Sequence, residues 1–157
     1  MKNAGDGANV RFPPPLIYVG VLALGFAAGR LLHLPTLGLE PGLRDPLGVA
    51  FVLAGFLVSF AGAGLFLRNR TAIIPFKPAT HLVTSGVYRW TRNPMYLGMA
   101  LTYVGLAFLL NSLTALVLLL VVIAIVQRQV IAREEAYLER AFGNQYLAYK
   151  NRVRPWI

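Results

Sequence analysis

Residues 96–126 read YLGMALTYVGLAFLLNSLTALVLLLVVIAIV, thirty-one positions without a charge. A bilayer core of ~30 Å takes about 20 helical residues, so this run is too long for one ordinary span and short for two. Its middle holds Asn111-Ser112, the only strongly polar pair in it. We read a tight helical hairpin with spans 96–110 and 113–127, whose short arms sit deep or extend past the membrane at their charged ends. One long tilted helix is the alternative. Outward from this stretch, residues 47–67 form a second run of twenty-one without a charge, and residues 16–34 a run of nineteen with Arg30 and His33 only near its end. A cleaved signal peptide would explain Lys2 and Arg11 ahead of the first run. The run exceeds a usual signal core, however, and Ala27-Ala28-Gly29-Arg30 is a poor cleavage site, so it is kept as a span. The expected fold is an all-α integral membrane protein, one domain over 1–157, with four transmembrane helices and further helices in a polar C-terminal tail.

Composition supports lipid as solvent. The chain is 57% hydrophobic and 13% charged, against roughly 25% charged residues in soluble domains. The net charge of +9 is informative by position. Four spans place both termini on one side together with the 68–95 connection, and that side holds thirteen of the fifteen Lys and Arg residues. Arg30 and Arg44 fall on the other side, with Glu40 and Asp45. The positive-inside rule assigns the basic side to the cytosol. Positive charge that fringes membrane helices also accounts for the high pI without nucleic acid. There is no cysteine, and two histidines expected on opposite sides make no metal site.

Gly25 and Gly29 share a face of the first run, and Gly48, Gly55, Ser59 and Gly62 recur along the second. Small residues let helix backbones approach closely in lipid; we read them as packing rather than as a substrate groove. The Gly25/Gly29 face also offers a possible oligomer contact. Neither run carries a central acid or base, which argues against a pump or ion pathway.

The polar residues concentrate in 68–95 and 128–157, both cytosolic by the charge argument. The first is longer than most connections, a mark of function. Pro75 and Pro78 force extended chain, Thr84-Ser85-Gly86 reads as a turn, and Pro94 suits the first position of a helix. In the tail, residues 133–142 read as a helix capped by Gly143, followed by a short helix from Asn144 to about Arg152 with Tyr146, Tyr149 and Val153 on one side. Glu134 and Glu135 point about 100° apart on a helix and cannot face one ligand together. Read alone, they are a solvated pair with local salt bridges.

The segment His81-Leu82-Val83-Thr84-Ser85-Gly86-Val87-Tyr88-Arg89-Trp90-Thr91-Arg92-Asn93-Pro94-Met95-Tyr96-Leu97-Gly98 resembles the signature of the isoprenylcysteine carboxyl methyltransferase family. The tail, Glu134-Glu135-x-x-Leu138 and then Phe142-Gly143-x-x-Tyr146-x-x-Tyr149-x-x-Arg152-Val153, resembles the same family's C-terminal end. The two separated motifs, in order around an apolar hairpin, cover roughly Thr80 to Val153. The resemblance implies a membrane methyltransferase that uses S-adenosylmethionine without a Rossmann domain, with 68–95 and 128–157 as its cofactor-binding cap. It implies cofactor contacts at Thr80, His81, Leu82, Val83, Tyr88, Asn93, Pro94, Met95, Tyr96 and Glu134. Arg92 is added on physical grounds as a bidentate partner for the methionyl carboxylate, against snorkelling to lipid phosphate.

The sequence departs from the pattern in two places. Asn93 stands where the family has histidine, a feature shared with phosphatidylethanolamine N-methyltransferases. The family's substrate-carboxylate arginine falls by ungapped count at Val130, leaving Arg128 and Arg133 as weak substrate candidates. Methyl transfer from a sulfonium needs alignment above all, so no catalytic acid or base is assigned. Asn93 and Tyr96 are the nearest candidates, and His81 is read as a packing residue before a base. The acceptor is a lipophilic or membrane-embedded molecule, such as a prenylated carboxylate or a phospholipid amine. An NADPH-dependent sterol-reductase-like enzyme and a non-catalytic membrane scaffold are the readings from other classes. The proposal requires Tyr88 and Glu134 to converge at one membrane face.

Overall fold

The computed structural model describes residues 13–68 and 81–157, and all regular structure among them is helical. Thr80, Pro75 and Pro78 lie outside the described residues. Helix α1 spans Pro14–Leu31 and α2 spans Pro41–Arg68; a short 3-10 turn at Gly86–Arg89 precedes α3, Pro94–Leu109, and α4 covers Leu113–Val126. A π-helical segment, Gln127–Ile131, joins α4 to α5, Ala132–Phe142, and α6 is Asn144–Lys150. Three stretches are long and apolar enough to cross a membrane: Pro14–Leu31, Pro41–Arg68 and the continuous helix Leu113–Phe142. The apolar part of the last is α4; beyond Gln127 it carries Arg128, Arg133, Glu134, Glu135, Glu139 and Arg140. Helix α3 is a shorter apolar helix.

The long apolar run breaks where its polar pair lies, so it is not one continuous helix. Asn111 adopts φ 49°, a left-handed conformation that Asn tolerates better than most residues. The Ser112 amide donates back to the Ala107 carbonyl at 3.0 Å, while its Oγ accepts the Ala115 amide at 3.2 Å and caps α4. Helix ends shift from the sequence reading. Helix α1 stops at Leu31, ahead of His33 at φ 51°, and α2 starts at Pro41, earlier than the apolar run itself.

The small residues are packing surfaces. A Cβ on Gly55 would stand 2.5 Å from the Gly98 carbonyl oxygen, and one on Gly98 the same distance from that of Gly55. Gly105 and Gly48 make the next such contact along α2 and α3, and Gly62 receives Pro94 and Met95. Helix α1 meets α4 in the same way: a Cβ on Gly25 would lie 2.7 Å from Ala115 Cα, and Gly29 faces Thr114 and Ser112. The Gly25/Gly29 face is therefore occupied by α4 of the same chain.

Two apolar clusters result. One, inside the bundle, gathers Tyr18, Tyr96, Ala100, Tyr103, Val122, Val126, Ile131 and Tyr137. The other underlies the polar end and joins Val83 and Tyr88 to Tyr146 and Tyr149, with Leu65 and Phe66 from α2 and Val153 from the tail packed on it. Leu16, Leu24, Leu53, Leu57, Phe60 and Leu120 are exposed on the outer helix faces, an apolar surface of the kind that lipid covers.

Candidate active site

Pro94 begins α3 and is almost fully buried, so the position of the next turn is fixed by packing on α2. That turn presents Tyr96. The π segment leads into α5, whose first turn carries Glu134. The Tyr96 hydroxyl donates to Glu134 Oε1 at 2.6 Å, short enough for a charge-assisted bond. From α1, the Tyr18 hydroxyl donates to the Tyr96 backbone carbonyl at 3.0 Å. Three helices far apart in sequence are thus tied at one point.

Tyr88 completes the group. It is 4% exposed. Its ring packs on Phe66, with centroids 5.5 Å apart, and its backbone carbonyl accepts the Tyr149 hydroxyl at 2.8 Å. Its own hydroxyl is buried and has no hydrogen-bond partner among the described residues, an uncommon condition for a buried polar atom. Burial pushes the Tyr88 hydroxyl well above the ordinary phenol range, and the nearby Tyr149 and Glu134 add to the rise. Burial also pushes the Glu134 carboxyl up to about 7; the Tyr96 hydrogen bond works against that rise, and the Glu135 charge adds to it. Such a carboxylate gains from a cation placed beside it. A desolvated carboxyl beside an unpartnered phenol suits a ligand that carries both positive charge and hydrogen-bonding groups.

The adjacent glutamate faces elsewhere, as the helical angle requires. Glu135 Oε1 accepts from Arg92 Nη2 at 2.6 Å and from Arg92 Nε at 3.1 Å, and its Oε2 lies 3.1 Å from Lys150 Nζ. Arg92 also donates through Nη1 to the carbonyls of Lys150 and Val153, and its amide donates to the Arg154 carbonyl at 2.9 Å. The guanidinium is a clamp on the tail. Asn93 has the same duty: its Nδ2 and the Thr91 hydroxyl both donate to the Pro155 carbonyl, at 2.9 and 3.1 Å.

The remaining sequence candidates are dispersed. His81 is exposed, Leu82 is partly buried and Val83 is buried in the outer cluster. Met95 packs against Gly62 of α2. Arg128 is exposed on the π segment, and Arg133 Nη2 donates to Gln129 Oε1 at 3.2 Å. Sequence reasoning missed Tyr18, the π segment, and the strap formed by Val153-Arg154-Pro155-Trp156, whose Trp156 Nε1 donates to Gln127 Oε1 at 2.8 Å. Single π turns inside α-helices gather at functional sites.

The fold is a bundle of apolar helices, three stretches of it long enough to cross a membrane, with a tyrosine–carboxylate cluster at one polar end. The phospholipid methyltransferase family model matches residues 43–145. Protein-S-isoprenylcysteine O-methyltransferase A of Arabidopsis thaliana is 32% identical over 142 residues, 86% of this chain and 72% of that protein. Isoform B of the same plant is 30% identical over 139 residues, covering 83% of this chain and 70% of its own. The Mus musculus protein-S-isoprenylcysteine O-methyltransferase is 42% identical over 79 residues, 49% of this chain and 28% of that protein. No solved structure matches. The chain belongs to the isoprenylcysteine carboxyl methyltransferase family and is a methyltransferase.

Proposed function

We propose that the protein transfers a methyl group from S-adenosylmethionine to an acceptor carried on a lipid chain, with a prenylated carboxylate as the first candidate. The observation that carries this reading is the meeting of Tyr96, Glu134 and the unpartnered Tyr88 hydroxyl. The residues present fit the donor. Glu134 would hold its positive charge, Tyr88 would donate to it, and Tyr96 would keep Glu134 oriented. The donor supplies a methyl on a sulfonium, which leaves as a neutral thioether. A carboxylate acceptor needs no base from the protein, so alignment by the tyrosines and Glu134 is what the chain contributes.

The fold supports four crossings, with α3 as the short one, and the distribution of Lys and Arg supports a cytosolic site. Arg128 and Arg133 border the α4–α5 junction, where an acceptor arriving from lipid would present its anionic end. His81, Leu82 and Val83 stay in the proposal as the strand of chain beside the cofactor.

The test uses the detergent-purified chain. S-adenosylhomocysteine should raise its melting temperature and NADPH should not. Labelled donor should then mark a prenylcysteine with a free carboxylate in preference to phosphatidylethanolamine. Marking of the phospholipid amine alone would move the acceptor to that class, and stabilisation by NADPH instead of the methyl-donor product would end the proposal.

A further inference from the structure

At the end of the bundle opposite Tyr96 and Glu134, helix α1, the chain leading into α2 and the α3–α4 turn enclose a cleft of about 260 Å³. Arg30, Thr36, Arg44 and Asn111 supply polar lining, Phe26 supplies an apolar wall, and no Asp or Glu lines it. Asp45 holds Arg44, its Oδ1 2.7 Å from both Nε and Nη2, so that charge is largely balanced. Arg30 makes no ion pair among the described residues; its guanidinium lies over the Phe26 ring, 5.6 Å from the centroid. The left-handed backbone of Asn111 turns its amide into the loop, where Oδ1 accepts the Leu37 amide at 3.2 Å. With the acceptor end committed, the Nδ2 donors are what Asn111 has left. The cleft therefore offers N–H and O–H donors and one unbalanced positive charge.

Such a lining selects an anion with several acceptor oxygens, and guanidinium suits phosphate in particular. The volume falls just below that of pockets for drug-sized ligands, which fits a headgroup rather than a nucleotide. Leu34 and Leu110 also line the cleft and are 39% and 38% exposed, so part of its rim is apolar. The geometry points to a phosphate-binding site at this end, occupied by the phosphodiester of a membrane phospholipid with its acyl chains along Leu34 and Leu110. The site is separate from the methyl-transfer site and does not depend on how that site is read.

The test compares three probes on the detergent-purified full chain: a short-chain phosphatidylglycerol, the diacylglycerol of equal chain length, and inorganic phosphate. The phosphatidylglycerol should raise the melting temperature, and the diacylglycerol should not. Arg30→Gln should weaken the phosphatidylglycerol effect about tenfold in concentration, the loss expected for one hydrogen bond to a charged group. Asn111→Asp keeps the acceptor for Leu37 and a residue type at home in the left-handed region, but sets a negative charge in the cleft; it should weaken binding at least as much. Glu134→Gln should leave the response intact. Equal stabilisation by inorganic phosphate at the same concentrations, lost in Arg30→Gln, would support the phosphate site and overturn the lipid as its source. Equal effects of the two lipids, or an unchanged response in Arg30→Gln, would overturn the site.

Discussion

Tyr96 and Glu134 stand 38 positions apart in the chain, and the tyrosine hydroxyl donates to the carboxyl at 2.6 Å. The bond ties the first turn of α3 to the first turn of α5. Because it lowers the Glu134 pKa against the rise imposed by burial, its removal has a readable direction. Tyr96→Phe should shift the pH at which half of the protein binds S-adenosylhomocysteine upward, and should cost the free protein about 1.5–3 kcal/mol. Tight-binding calorimetry across pH 6–9 checks this; an unmoved midpoint would separate Tyr96 from Glu134.

Glu134 itself gives a signed pH dependence. Its carboxyl ionises near 4.5 when unfolded and near 7 in the folded chain. Between those values the folded state holds the extra proton, so stability falls as pH rises and levels off above 7. The full effect is roughly 3 kcal/mol at most. A cationic ligand reverses the preference, so affinity for the methyl donor should rise with pH by up to about tenfold per unit until near 7, then flatten. Glu134→Gln should abolish the slope and the ligand response together, whereas Glu139→Gln should keep both. Melting curves at four pH values, with and without ligand, decide it.

Arg92 and Glu135 are a buried pair, with side chains 8% and 14% exposed, and Arg92 also grips two carbonyls of the tail. Arg92→Met should destabilise by about 3 kcal/mol, the low end for a broken buried pair because Lys150 still reaches Glu135. Arg92→Lys should rescue little, since one ammonium cannot make the forked contacts. Limited trypsin digestion after Arg152 should accelerate in both variants. A wild-type digestion rate would show that the strap is held by other means.

The apolar runs and their small-residue series could be read because both follow from the solvent: lipid demands uncharged length and close backbones. The break at Asn111-Ser112 was legible for the same reason, as the one place where polar atoms interrupt the run. Glu134 was picked out by resemblance alone, since its chemistry depends on which face the π segment gives it, and helical counting assumes an α-turn throughout. The hold of Arg92 and Asn93 on the tail was not legible, because a sequence shows donors without their acceptors. Those acceptors are backbone carbonyls at Lys150, Val153 and Pro155, which any residue type supplies. Tyr18 was invisible for a similar cause: its partner is the backbone of Tyr96.

The contact between α2 and α3 predicts a sharp contrast between glycines of similar sequence setting. A Cβ at Gly98 would lie 2.5 Å from the Gly55 carbonyl oxygen and 2.8 Å from the Ser59 amide nitrogen, whereas one at Gly64 meets nothing within 4 Å. The Ser59 hydroxyl, nearest of all, can turn away, but the two backbone atoms cannot, so the helices must separate. Gly98→Ala should cost about 1–3 kcal/mol and should also depress activity, because Pro94 and Tyr96 ride on the same helix. Gly64→Ala should be neutral or slightly stabilising, since alanine is the better helix former. Unfolding in detergent, measured beside methyl transfer for both variants, tests the contrast. Equal tolerance at the two positions would mean that α2 and α3 do not approach backbone to backbone.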